Sequence, residues 1–226
     1  MLTFLAVGTN GASRTILART GTNGSGLVCA LAEIPPGGEL AGAAGTGGEL
    51  WFVIDGSARI ELGGAPGPEL ISDRGMQVPA GTAYTLKCDG AARLRLHMVA
   101  LPVMRSRPTS REVSRDLQDC PAETTGDRTF RVLFGPGRDC PVATQFVGEI
   151  PPGRAPEHSH PYDEVVLVLQ GSGVAHVGGT DRALSAGTCL HLPPGLRHCL
   201  ENTGPDVMRV LGVFHPADSP AAKLQH

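Results

Sequence analysis

Two stretches of the chain set the reading. Glu49 to Ile60 (ELWFVIDGSARI) and Glu164 to Val177 (EVVLVLQGSGVAHV) are dense in apolar and β-branched residues, and in each a glycine, Gly56 or Gly171, follows seven residues after the opening glutamate. An apolar run this short, closed by a glycine and resumed at once, predicts a strand, a tight turn and a second strand rather than a helix. Leu94 to Val103 and Met208 to Phe214 are further strand-like runs. The 31 glycines and 19 prolines are spread in short clusters between such runs. Many short strands separated by Gly/Pro turns predict an all-β sandwich or barrel.

The pattern occurs twice. Glu33-Ile34-Pro35-Pro36-Gly37 returns as Glu149-Ile150-Pro151-Pro152-Gly153, and Pro79-Ala80-Gly81 returns as Pro193-Pro194-Gly195. Glu49 falls on Glu164, Gly56 on Gly171, and Arg14-Thr15 on Arg128-Thr129, at an offset that stays near about 115 positions. A repeat this long is a duplicated domain, not a solenoid unit. The expected division is residues 1–104, a polar connector over residues 105–127, and residues 128–226. Within that otherwise solvated connector, Arg111 to Gln118 is a candidate short helix.

The histidines break the symmetry. Seven of the eight lie after residue 157. His158 and His160, at i and i+2, share one face of a strand. A straight strand could not also bring Glu164 to the same point, so the chain must turn at Pro161-Tyr162-Asp163. His198 arrives from another hairpin, behind the turn Pro193-Pro194-Gly195. Imidazoles and a carboxylate gathered this way are ligands for a divalent transition metal.

These residues resemble the two motifs of the cupins, G-x5-H-x-H-x3/4-E-x6-G and G-x5-P-x-G-x2-H-x3-N. The second is matched by Gly187, Pro193, Gly195, His198 and Asn202. The first is matched by Gly153, His158, His160, Glu164 and Gly171, with one residue fewer between Gly153 and His158. The resemblance implies two tandem cupin barrels, that is, double-stranded β-helix or jelly-roll folds, hence a bicupin. It also implies one divalent metal held by His158, His160, Glu164 and His198. In the N-terminal copy Ala43 and Gly45 take the places of His158 and His160, and Tyr84 takes that of His198. That copy is therefore expected to keep the barrel and lack the metal, with Tyr84 and Glu49 as its polar handles. Fe(II) is the favoured ion; Mn, Ni, Cu or Zn also suit the donors.

Other chemistry is sparse. Candidate acid–base residues are His191, Tyr162 and Glu157, against the plainer reading of turn residues and a hydrogen-bonded histidine. Cys189 and His191 alternate on one strand and share a face, which could line the pocket; a packed cysteine is the commoner use. Cys199 should face away from the metal beside His198, as should Arg197. Arg154 and Arg209 are the other basic residues close in sequence. His97 and His176 receive no role, and His215 and His226 belong to the tail. The six cysteines have no C-x-x-C spacing, so reduced thiols and a cytoplasmic location are expected. No basic n-region marks a signal peptide, and no apolar run is long enough to span a bilayer. A net charge of −3 gives no reason to expect nucleic acid or an acidic membrane as partner. The partner implied is a small-molecule substrate, with the chain a monomer or homodimer. Three functions follow, in this order: an Fe(II)-type dioxygenase, an isomerase, cyclase or lyase using the metal as Lewis acid, and a non-catalytic small-molecule binder.

Overall fold

The computed structural model describes residues 6–21, 26–102 and 113–221. They divide into two units, Met1–Asp119 and Cys120–His226, and both are built from strands. Val103 and His226 lie outside the described residues, as do Arg111 and Glu112 of the candidate helix. Among the described residues no helix is long and apolar enough to cross a membrane.

The first unit runs β1 (Ala6–Thr9), β2 (Ser13–Arg19), β3 (Val28–Ile34), β4 (Glu39–Ala43), β5 (Glu49–Asp55), β6 (Ser57–Leu62), β7 (Ala65–Pro66), β8 (Leu70–Ile71), β9 (Arg74–Val78), β10 (Ala83–Lys87), β11 (Leu94–Ala100) and β12 (Val113–Asp116). One sheet has the order β1-β4-β10-β6-β7, with β8 also on β6, and the other has β12-β9-β5-β11-β3-β2. The period-2 pattern shows how they face each other. On β6, Ala58, Ile60 and Leu62 are buried while Arg59 and Glu61 are exposed. The buried set meets Trp51, Val53, Leu86, Leu96 and Met98 in a core between the sheets. β5 is buried on both faces over Glu49 to Val53, which is why it reads as a continuous apolar run instead of an alternating one.

The second unit runs β13 (Glu123–Thr125), β14 (Arg128–Phe134), β15 (Thr144–Ile150), β16 (Gly153–Arg154), β17 (Asp163–Gln170), β18 (Ser172–Val177), β19 (Thr180–Ser185), β20 (Cys189–Leu192), β21 (His198–Asn202) and β22 (Met208–His215). Its sheets have the orders β13-β14-β15-β22-β17-β20 and β16-β21-β18-β19. The core between them includes Ile150, Val166, Val168, Ala175, Leu184, Leu200 and Val210.

The glycine that ends each apolar run is demanded by geometry. Gly56 and Gly171 have φ of +83° and +89°, where a side chain is strained. A Cβ would also stand 2.3 Å from the Arg93 carbonyl oxygen in the first case and 2.9 Å from the Met208 Cα in the second. Asn202, which closes the second motif, is likewise structural. It is buried, its amide donates to the carbonyls of Ile150 and Asp206 at 2.8 Å each, and its oxygen accepts from the Gly204 N–H at 2.9 Å.

Three expectations change. Residues 113–116 do not form a helix but a strand, β12, paired along β9, with a single 3-10 turn behind it at Leu117–Asp119. Residues 123–125, also placed in the connector, form β13 on β14. Val113 favours a strand, and Ser114 and Asp116 are weak helix formers, so Arg115 alone resists pairing at a free sheet edge. The third change concerns the alignment of the copies. Tyr84 lies opposite Gly42 and His198 opposite His158, and the Gly81 and Gly195 N–H groups reach the carbonyls of Ala44 and His160. Gly42 and Ala44 therefore stand where His158 and His160 do, not Ala43 and Gly45. Similarly Arg14 pairs with Ala32 and Phe130 with Gly148. Arg14 is the counterpart of Phe130, and Arg128 begins two residues earlier on the equivalent strand.

Candidate metal centre

In the second unit three elements deliver the candidate donors. Backbone bridges in both directions, His158 N–H to His198 carbonyl at 2.9 Å and His198 N–H to His158 carbonyl at 2.8 Å, clamp the segment before β17 against β21. The chain then turns through Pro161 and Tyr162, and Glu164 projects from the second position of β17. Donor atoms of His160, Glu164 and His198 all lie within 4.8 Å of one another and could hold a metal ion. The His158 ring adjoins them, its centroid 4.4 Å from that of His198 and 6.3 Å from that of His160. Its ligand atoms fall outside the tight cluster.

The tautomers follow from the backbone. Nδ1 of His160 meets the Tyr162 carbonyl at 2.8 Å, Nδ1 of His198 meets the Leu196 carbonyl at 2.8 Å, and Nδ1 of His158 meets the Pro156 carbonyl at 3.1 Å. A carbonyl only accepts, so each Nδ1 carries a proton and donates it. In the neutral imidazole each Nε2 is then a bare lone pair. Burial lowers the pKa of His158 and of His198, outweighing the carbonyl contacts that oppose it; His198 also lowers His158, and so does the Arg128 guanidinium. Nε2 of His160 is buried with no hydrogen-bond donor or acceptor satisfying it, and it lies 3.0 Å from Oε2 of Glu164. Two lone pairs do not face each other at that distance, so either a proton on one of the two groups or a metal ion bound by both accounts for the approach.

The donors line a cavity of about 100 Å³. Its wall is largely apolar, with Phe130, Phe146, Ile150, Val166, Leu192 and Phe214 among the contributors, and Arg128 and Glu149 are charged members besides Glu164. The Tyr162 ring lies between the His160 ring, at 4.2 Å and 6°, and the Phe214 ring, at 4.3 Å and 19°. Burial and the Glu164 and Asp218 carboxylates push its phenol pKa well above the ordinary value.

The remaining sequence candidates are elsewhere. His191 lies opposite Val165, and Leu192 opposite Glu164. Leu192 therefore faces the cavity, and His191 faces the other side of the sheet, where Asp163 holds its Nε2 at 2.7 Å. Cys189 shares that face, and burial pushes its thiol up to about 11. Glu157 is exposed and bonded to Arg197 at 3.1 Å. Cys199 is fully buried beside His198. His176 bridges Asp181 and Glu201 at 2.7 and 2.9 Å, and Nδ1 of His215 meets the Val142 carbonyl at 2.7 Å. Arg128 is the pocket residue that motif reading does not find, because it belongs to neither motif and lies thirty residues before the first histidine.

The equivalent place in the first unit is filled. Glu49 is fully buried and accepts from the Trp51 indole N–H at 2.6 Å and the Gly45 N–H at 3.2 Å. Arg14 lies 3.5 Å from it and donates to the Tyr84 hydroxyl at 3.0 Å. The Tyr84 ring stands edge-on to Trp51 at 4.8 Å. Burial raises the Glu49 pKa, and Arg14 with the two N–H donors offsets part of the rise.

Residues 146–214 match the family model of the cupin domain, Cupin_2. No curated protein matches the chain. Among solved structures, a Pseudomonas aeruginosa protein described as glyoxylate-induced aligns at TM-score 0.72 and 16% identity, over 88% of this chain and 79% of its own. A Cupin 2 conserved barrel domain protein from Leptotrichia buccalis aligns at TM-score 0.62 and 14% identity, over 91% of this chain and 89% of its own. A mutant of oxalate decarboxylase OxdC from Bacillus subtilis aligns at TM-score 0.67 and 14% identity, over 85% and 70%. At these identities the likeness establishes the fold: the protein is all-β, with the cupin jelly roll.

Proposed function

We propose that the chain is a bicupin enzyme that binds one divalent metal, through His158, His160, Glu164 and His198, and acts on a small organic molecule as an Fe(II)-type dioxygenase. The observation that carries the metal is the 3.0 Å approach of the His160 Nε2 lone pair to the Glu164 carboxylate. Two donors at right angles around one ion, each ~2.1 Å from it, stand about 3.0 Å apart, whereas a tetrahedral arrangement sets them near 3.4 Å. Both separations are within a small side-chain adjustment of the 3.0 Å found, and imidazole and carboxylate donors suit Fe(II), Mn(II), Ni(II), Cu(II) or Zn(II). His158 adjoins the other donors as the fourth ligand.

The choice of dioxygenase rests on what else the cavity contains. Isomerase or cyclase chemistry needs a base beside the substrate to move a proton. His191 is turned to the other face of the sheet and Glu157 is tied to Arg197 outside the cavity. Tyr162 lines the cavity, but its raised pKa keeps the phenol protonated at neutral pH. Glu149 is exposed where it lines the cavity. With no buried base, a reaction driven by dioxygen fits the residues better than one driven by proton abstraction. Iron, when bound, supplies the electrons that ground-state dioxygen needs to react with an organic molecule. The chain's own part is to hold the three imidazoles in one tautomer, exclude water with the phenylalanine wall, and position the substrate. Purified without chelator or added metal, the protein should carry iron by mass spectrometry and consume O2 in an electrode once given its substrate. Turnover that proceeds equally well without oxygen overturns the dioxygenase reading.

A further inference from the structure

Among the described residues that line the cavity, Arg128 is the one lysine or arginine. Arg128 opens β14 and lines the same space as His158, His160, Glu164 and His198. Its Nε is buried and makes no hydrogen bond, and among the described residues none forms an ion pair with its guanidinium. Glu149, the charged residue of the wall besides Arg128 and Glu164, is exposed and does not pair with it. A guanidinium is a rigid fork of donors matched to a carboxylate, and this one lines a largely apolar cavity with no carboxylate paired to it among the described residues.

The comparison between the units shows how the opening arises. In the first unit Arg14 stands opposite Ala32 and reaches Glu49, so the chain's own ion pair fills the interior. In the second unit that strand position is Phe130, and the arginine lies two residues farther from the glutamate end of the sheet. Two residues of strand amount to about 6.6 Å and keep the side chain on the same face. Arg128 thus stands two residues farther along the sheet from Glu164 than Arg14 does from Glu49, and no ion pair joins Arg128 to Glu164 among the described residues.

We infer that the cavity takes a small carboxylic acid, its carboxylate held by Arg128 and its other polar end directed at His160, Glu164 and His198. This names the substrate class of the site proposed above and rests on that reading. A short-chain acid fits a cavity of about 100 Å³, and the phenylalanine and leucine wall accommodates its alkyl portion.

The test measures binding of pyruvate and butyrate by titration calorimetry to zinc-loaded protein, so that no redox turnover intervenes, with pyruvamide as the uncharged counterpart. Metal content is measured on the same samples. Wild type should bind at least one of the acids about tenfold or more tighter than Arg128→Gln does, the loss expected for a charge-assisted pair. Pyruvamide should bind both proteins alike. Arg128→Lys, which keeps the charge without the fork, should fall between them, and it carries the test if Arg128→Gln does not fold. Equal acid affinity in wild type and both variants overturns the inference, as does a wild type that takes up neither acid. Failure of the metal reading shows separately, as the absence of stoichiometric zinc in samples whose acid binding still depends on Arg128.

Discussion

His97 offers a measurement of how dry the first unit is. It lies on β11 opposite Leu31 of β3 and Phe52 of β5, is fully buried, and neither ring nitrogen has a hydrogen-bond partner. Desolvation alone lowers its pKa to about 4, against ~6.5 in an unfolded chain. The unfolded state therefore takes up a proton first as the pH falls. The stability linked to His97 is complete above about pH 6.5 and is lost progressively down to about pH 4. A pKa of about 4 against ~6.5 corresponds to about 3 kcal/mol in full, of which about 2 kcal/mol falls between pH 7 and pH 4.5. The perturbation is His97→Leu, which keeps the bulk and removes the titration. Urea unfolding of both proteins at half-unit steps of pH gives two stability curves, and every other ionisable group cancels in their difference. The variant should match or exceed wild type at pH 7, since two unsatisfied nitrogens are gone, and should lead by a further ~2 kcal/mol at pH 4.5. Curves that run parallel from pH 7 to pH 4.5 would refute the reasoning, because they would mean that the imidazole is hydrated or paired in the folded protein.

The metal centre gives two further expectations. Wild type should hold one metal ion per chain, and His160→Ala or His198→Ala should lose most of it while circular dichroism stays unchanged; a count near two, or full occupancy in both variants, contradicts the ligand set. Because protons compete for the same Nε2 lone pairs and burial lowers the pKa of His158 and His198, affinity should hold steady down to about pH 6.5 and decline below it, which a chelator competition series across pH 8 to 5 would show. At the scaffold level, Gly171→Ala should cost roughly 2 kcal/mol or more in urea unfolding, from a φ of +89° and a Cβ placed 2.9 Å from the Met208 Cα.

Much of this was legible in the sequence because barrel-building features are local. A glycine seven residues after the glutamate that opens an apolar run, or a Pro-x-Gly turn before a histidine, is written in adjacent positions, and so is the i, i+2 pair His158 and His160. What was not legible depends on register between distant strands. The sequence aligns Arg14 with Arg128 because both precede a threonine, yet the ladders put Phe130 in the place of Arg14. An error of two residues preserves the face and so leaves no trace in the hydrophobic pattern. The one-residue error at Ala43 and Gly45 arose where the first copy carries an extra residue before its glutamate, in a loop whose length no pattern constrains. His191 was a reasonable pocket candidate until the pairing of Val165 with His191 fixed which of two adjacent residues faces inward. The edge strand at residues 113–116 was missed because its pairing partner lies some forty residues away.

The two units meet one electrostatic requirement in different ways, and the difference can be measured. A glutamate opens the inner face of β5 and of β17, buried in both. Moving a carboxylate out of water costs several kcal/mol unless a cation accompanies it. In the second unit that cation is assigned to the metal. In the first it is Arg14, 3.5 Å from Glu49, with the Trp51 and Gly45 N–H groups occupying the remaining lone pairs. Arg14→Met should then destabilise the protein by about 3–5 kcal/mol, the cost of stranding one partner of a buried pair. Adding Glu49→Gln should recover a substantial part of that loss, because the amide no longer needs a cation and still accepts from the indole. The double-mutant cycle isolates the coupling from the lost packing of the arginine stem. If Glu49→Gln costs as much in the Arg14→Met background as in wild type, the two residues are not coupled. The interior of the first unit would then be held by packing around Trp51 and Tyr84.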